Sequence, residues 1–256
     1  MSEIIICPSG LKGRVRKMKV HEARSFSNRR RNSKGDPMKR LFSSCWEETL
    51  DLGPYDFDDK RIDWSEVLLG DRLYALMGIR IETHGPEYVF SVTCQERDCR
   101  KRIEWELNLD ELPVRMLSDE NREVFQNGNR FEMTLPEADT RLWFKMLLGK
   151  DEGKLAKKRR GPEELDLSDL LSFRIVEIEG VDKKEKRRFI DDLSMSDADF
   201  LMDEFDRVDC GIDTAIEIEC PQCMAVQEVE LPFEQTFFMP GKRRMARRGR
   251  SDSFRE

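Results

Sequence analysis

Four cysteines have the residue type and spacing to hold one metal ion. Cys220 and Cys223 stand in IEIECPQCMAVQEVEL, and Cys94 and Cys99 in EYVFSVTCQERDCRKRIEWELNL. Each pair sits in a short turn between stretches of β-type sequence. A tetrahedral structural Zn2+ takes four ligands, commonly two from each of two such turns. Four thiolates fill its coordination shell and leave no position for water or substrate, so the expected role is structural. The pairs are far apart in the chain, which is tolerable because loop-closure entropy grows slowly with length. Two other readings stand beside this one. A Cys-x-x-Cys redox pair should open a helix after a strand, whereas MAVQEVEL continues in β pattern. A packed cluster of thiols without an ion is the other. Cys7, Cys45 and Cys210 read as ordinary core or surface thiols.

No other constellation carries chemistry. LGKDEGKL has Gly149, Gly153 and Lys154, but it is one residue short of a phosphate-binding loop and has no Ser or Thr after the lysine. Of the two histidines, His21 ends a basic strand. His84 precedes Gly85-Pro86 at a helix end, where a contact with the helix dipole explains it. No serine, cysteine or carboxylate pair has a partner base, so no catalytic site and no enzyme is expected. The acidic run Asp197–Asp206 reads as a solvated helix face that, with its Met and Phe residues, offers a binding surface.

The elements that would position the cysteines are short. IIICPSGLKGRVRKMKV predicts two strands around a Pro-Ser-Gly turn, followed by a basic loop at 27–35. Leu41, Phe42, Cys45, Trp46 and Leu50 have helical spacing, which predicts a helix over 38–51. Asp63 with Glu66 reads as a capping box opening a helix over 63–84, whose buried stripe is Leu68, Leu69, Leu73, Leu76, Met77 and Ile81. Gly85-Pro86 ends it. Strands flank each cysteine pair. VFQNGNRFEMTLPEADTRLWFKML reads as hairpins, with Asn127-Gly128 a turn signal. A charged insert over 146–209 is mostly helical, broken at Gly161-Pro162, with Ser196 as the N-cap of its last helix. Two internal echoes appear. YVFSVTC-x4-CRKRIEWELNL resembles DTAIEIEC-xx-CMAVQEVELPF, and CPSGLKGRVRKMKV resembles LPEADTRLWFKMLL, with Pro8/Pro136 and Lys17-Met18/Lys145-Met146 at one fixed offset.

Composition bounds the rest. The 256 residues suffice for a sizeable core, although 38% are charged. No apolar run approaches the roughly 18–20 residues of a membrane span, and MSEIIICPSG is not patterned as a signal peptide. The net charge of −7 is unevenly placed: residues 11–40 carry +10, residues 240–256 carry +5, and residues 41–239 carry −21. An acidic body with basic ends suits docking on charged partners. The clusters RRRNSKG, KKRR and KRRMARR lack the interleaved aromatics of a nucleic-acid stacking platform, and the acidic body would repel a phosphate backbone.

GDRLYALMGIRIETHGPEYVFSVTC, the Cys-x4-Cys pair, EWELNLDELPV, LLGKDEGKL, CPQC and LPFEQTFFMP together resemble the baseplate hub assembly proteins of T-even-type contractile-tailed bacteriophages. The resemblance runs from about Ile4 to Pro240. The arm RSFSNRRRNSKG is more basic than that family suggests, and the family does not itself imply a metal, so the zinc expectation rests on these cysteines. The resemblance implies no catalysis. It implies a structural or assembly role by protein–protein contact with other baseplate, hub or tape-measure chains, in the virion tail or in the host cytoplasm during assembly, with an oligomer inside a symmetric assembly compatible with it.

The expected architecture is α+β: short β-hairpins with a zinc-ribbon-like clip of Cys94, Cys99, Cys220 and Cys223, packed against several helices. An N-terminal hairpin and basic arm (1–35) precede a body (36–240) and a basic, disordered tail (241–256). The apolar tip FEQTFFMP offers Phe233, Phe237, Phe238 and Met239 as anchors for a partner's pocket, or packs them on its own core. The alternative function is a zinc-ribbon nucleic-acid-binding or regulatory protein, recognisable by affinity that falls steeply with salt.

Overall fold

The fold is α+β. A computed structural model describes residues 2–27, 37–158, 166–233 and 235–238. Strands β1 (Glu3–Ile6) and β2 (Lys12–Val15) pair antiparallel around Pro8–Gly10. The Cys7 N–H donates to Leu11 O at 2.8 Å, and Gly10 takes the left-handed φ of +99° that closes the turn. Helices α1 (Val20–Ser27) and α2 (Pro37–Cys45) lead to β3 (Trp46–Asp51), which pairs with the other edge of β2. Helix α3 (Leu69–His84) follows, then the hairpin β4 (Glu87–Thr93) and β5 (Arg102–Asn108), the short strand β6 (Val114–Arg115) and α4 (Asp119–Gln126).

The second half repeats this plan. Strands β7 (Phe131–Thr134) and β8 (Arg141–Phe144) form a hairpin. Helices α5 (Gly149–Lys158) and α6 (Leu167–Arg174) lead to β9 (Ile175–Ile178), which pairs with β8. Then come α7 (Lys186–Asp191), α8 (Met195–Val208), β10 (Gly211–Ile212) paired with β6, the hairpin β11 (Ala215–Glu219) and β12 (Val226–Glu230), and α9 (Gln235–Phe238).

The correspondence extends to individual bonds. In the first half, Arg16 N–H donates to Cys45 O at 2.9 Å; in the second, Lys145 N–H donates to Arg174 O at 3.0 Å. The Arg16 guanidinium pairs at 2.7 Å with buried Glu22, which also accepts the Lys19 N–H at 2.6 Å. The Lys145 ammonium pairs at 2.8 Å with buried Asp151, which also accepts the Leu148 N–H at 3.2 Å. A carboxylate from the first turn of the next long helix then holds each hairpin turn. Asp71 of α3 accepts the Ser9 N–H at 3.0 Å, the Ser9 hydroxyl and the Tyr55 hydroxyl. Asp197 of α8 accepts the Glu137 and Ala138 N–H groups, both at 3.0 Å. These carboxylates satisfy turn donors that burial would otherwise leave unpaired. Asp197 is therefore not on a solvated face, as the acidic run suggested.

Tertiary context moves several boundaries. The helical spacing over 38–51 holds only to Cys45, because Trp46–Asp51 is recruited to the open edge of β2. Gly13 makes room for this: a Cβ there would lie 2.1 Å from the Trp46 ring. Residues 63–68 are not helical. Asp63 instead accepts the Ser65 N–H at 3.1 Å in a turn, and α3 starts when Leu69 N–H donates to Leu147 O at 3.0 Å. Its buried set is wider than one stripe, including Asp71, Arg72, Ala75, Ile79 and Arg80, while Leu73 and Ile81 are half-buried. Asn127-Gly128 ends α4 rather than turning a hairpin, and the hairpin turns at Pro136–Asp139 instead. Within 146–209, Ile175–Ile178 is a strand, drawn onto β8. The cap of α8 is Ser194, accepting the Asp197 N–H at 3.1 Å, rather than Ser196. The break at Gly161-Pro162, the basic loop beyond Ser27 and the 241–256 tail lie outside the described residues. Residues 3–15 are built into the body through the β2–β3 pairing.

Candidate metal centre

The two cysteine turns meet. The Cys94 and Cys223 sulfurs are 3.7 Å apart, as are those of Cys99 and Cys220, and all four lie within 4.8 Å of one another. Sulfurs held about 2.3 Å from one tetrahedral ion stand about 3.8 Å apart. A disulfide needs about 2.0 Å, and all four cysteines are free thiols. The donor set and its spacing fit Zn2+.

Local chain geometry explains how each turn presents two sulfurs inward. Cys94 N–H donates to Lys101 O at 2.8 Å, and Cys220 N–H to Ala225 O at 2.9 Å, so each first cysteine closes the end of its hairpin. The residue after each second cysteine is left-handed: Arg100 at φ +46° and Met224 at φ +61°. That reversal swings the second sulfur back towards the first. The turns differ in length, yet they reach the same end point.

The sulfurs differ electrostatically. Burial first, then the neighbouring thiols, pushes the Cys94 thiol up to about 12. Backbone N–H groups of Cys223 and Gln222, the largest influences, bring Cys220 down to about 6. A turn that aims backbone donors at one sulfur favours its thiolate, the form that ligates metals. Cys94 and Cys220 are fully buried, Cys99 partly so, and Cys223 is exposed.

Gln227, which the cysteine pattern gives no reason to single out, ties the two turns together. From β12 it accepts the Gln95 N–H at 2.8 Å and donates to Thr93 O at 3.4 Å, so one buried amide bridges both hairpins. Cys7, Cys45 and Cys210 lie apart in the core, with burial raising all three thiols, Cys45 to about 12.

The aromatic tip next to this clip divides. Phe237 is 0% and Phe238 6% exposed, so neither is available as a partner's anchor; both pack on the chain's own core. Their socket is the C-terminal end of α3 with β4. Tyr88 meets Phe237 edge-on at 5.2 Å and donates its hydroxyl to Pro232 O at 2.7 Å. Buried Arg80 donates to Glu87 O at 2.8 Å and Phe237 O at 3.3 Å while lying over the Phe237 ring. His84 Nε2 is 2.9 Å from Phe238 O, so its role is to dock the tip as well as to end a helix. Phe233 remains 41% exposed, and Met239 lies outside the described residues.

Among the described residues, no helix is long and apolar enough to cross a membrane. A protein-family model described as T4 bacteriophage base plate protein matches residues 1–239. No curated protein and no solved structure matches the chain.

Proposed function

The chain belongs to the T4 bacteriophage base plate protein family, and from that premise we propose that it is a structural or assembly protein of the hub region of a contractile tail. It acts by non-covalent contact with other baseplate, hub or tape-measure chains. The single observation that carries this reading is the family match across residues 1–239. The architecture supports it: two repeated halves are joined by the β6–β10 pairing and by the Arg72–Glu152 ion pair, and their cysteine turns meet, which suits a rigid connector rather than a reactive cleft. The charge layout also suits assembly, since an acidic body with basic ends presents both signs to neighbouring chains.

Within that role, Cys94, Cys99, Cys220 and Cys223 hold a structural Zn2+. The ion supplies a cross-link between the halves, and binding energy there is folding energy. Elemental analysis of the purified protein tests this: about one zinc per chain is expected. Less than half an equivalent, with four thiols reactive in the native state, refutes it.

The function is tested on particles from a phage lacking the chain. Tails without assembled baseplates are expected, with restoration on supplying the protein. Normal, contractile tails in its absence would end the proposal. Mass spectrometry of purified wild-type particles then separates a retained component, present at fixed stoichiometry, from a chaperone that leaves.

A further inference from the structure

A groove of about 350 Å³ runs beside β1, floored by the Tyr74–Ile81 stretch of α3 and walled opposite by Leu109–Val114. Among the described residues β1 is the edge of its sheet, paired only with β2. The Cys7–Leu11 bond sets the alternation of that ladder, so Ile5 and Glu3 bond inward to β2 while the N–H and C=O groups of Ile4 and Ile6 point outward. The Ile4 and Ile6 side chains are 46% and 50% exposed. Ile5 instead packs down onto α3, where Gly78 admits it: a Cβ there would lie 3.0 Å from Ile5 Cγ2.

Past the far end of β1, Leu117 N–H donates to Pro8 O at 2.9 Å. At the other end Glu3 and Asp110 line the groove. Burial, then Glu82 and Asp110, raise the pKa of Glu3, so this rim is a concentration of negative charge. Lys17 reaches Glu82 at 3.9 Å, but among the described residues no cation is ion-paired with Glu3 or Asp110. An aliphatic, unprotected edge strand is ordinarily a hazard that folds blunt with charge, proline or a covering element. Here the edge borders a groove whose mouth carries Glu3 and Asp110, neither of them ion-paired among the described residues.

We propose that this groove is a strand-addition site, taking an extended segment of another baseplate chain that has aliphatic residues at alternate positions and a Lys or Arg against the acidic mouth. The backbone of such a segment pairs with Ile4 and Ile6, its aliphatic side chains enter the groove, and its cation meets Glu3, Asp110 and Glu82. The chain's own basic tail, GKRRMARRGRSDSFRE, has the charge but not the alternating aliphatic residues. The identity of the partner class rests on the baseplate reading above.

A benzophenone amino acid placed at Ile6 of the full chain, irradiated in purified tails, tests this. One dominant adduct is expected, to a peptide of another baseplate chain with that alternation and a terminal cation, and reduced at least tenfold by Glu3→Lys with Asp110→Lys. Ile6→Pro removes an outward N–H and leaves the β1–β2 ladder bonds intact; it should melt near the wild-type temperature yet enter tails at least tenfold less. An adduct to the chain's own tail, to a second copy or to a segment without the alternation overturns the proposal, as does no adduct from tails that contain the protein. Mass spectrometry scores the protein's presence in tails separately. Where it is absent, the same irradiation in producing cells has the same outcomes, so failure of the groove is distinguished from failure of the baseplate role.

Discussion

Cys223 is the most exposed thiol of the cluster, and its replacement tests the energetic role of the proposed ion. Cys223→Ser should lower stability by several kcal/mol, and a chelator should shift the wild-type denaturation midpoint while leaving the variant's nearly unchanged. Met224, next to it, has a left-handed backbone that costs an L-residue about 1–2 kcal/mol. Met224→Gly removes that cost but adds chain entropy, so a net gain of about 0.5 kcal/mol is expected in urea titrations. Glu22 sets a pH signature. The Arg16 guanidinium holds its carboxyl at about 2, below the ordinary 4.5. A depressed carboxylate contributes its stability fully above its unfolded pKa and loses it as pH falls. The stability difference between wild type and Glu22→Gln should therefore be constant above about pH 4.5 and shrink towards pH 2, whatever the metal contributes to both proteins.

At the scale of elements, close backbone approaches decide where helices and strands may lie. Gly70, in the first turn of α3, crosses β10 so tightly that a Cβ would lie 1.8 Å from Cys210 O. The obstacle is backbone and cannot rotate away, so Gly70→Ala should cost about 3 kcal/mol, read from the thermal midpoint. Local sequence pointed correctly to the hairpins because alternation and turn residues act over a few positions. It misplaced β3 because Cys45 and Trp46 continue an acceptable helical spacing. What ends α2 there is a distant strand edge that needs hydrogen bonds, and a glycine in it that admits an indole. Asn127-Gly128 shows the same limit: the dipeptide favours a reversal of the chain, but whether that reversal turns a hairpin or ends a helix depends on what precedes it.

At the scale of the molecule, the cysteine clip joins the last hairpins of two halves that otherwise carry their own three-stranded sheets and their own buried cation–carboxylate pairs. Other links are the β6–β10 pairing, the Leu69 N–H to Leu147 O bond and Arg72, which reaches from α3 to Glu152 of α5 at 2.6 Å. Removing the metal should therefore loosen the molecule unevenly. Hydrogen exchange after chelation is expected to rise first in β4–β5 and β11–β12, with the β1–β2–β3 and β7–β8–β9 amides protected longer; uniform loss of protection would mean that the ion holds each half together as well.

The sequence alone determined the two cysteine pairs, the hairpin frames around them, the α+β class and the echo between Pro8 and Pro136, because each is written in short-range spacing. Tertiary structure alone decided that the four sulfurs converge, that Gln227 bridges their turns, that Phe237 and Phe238 fill a socket made by Arg80 and Tyr88, and that β1 borders a groove. These depend on which distant surfaces come within hydrogen-bonding or van der Waals reach, and that distance is a property of the packed chain rather than of any segment of it.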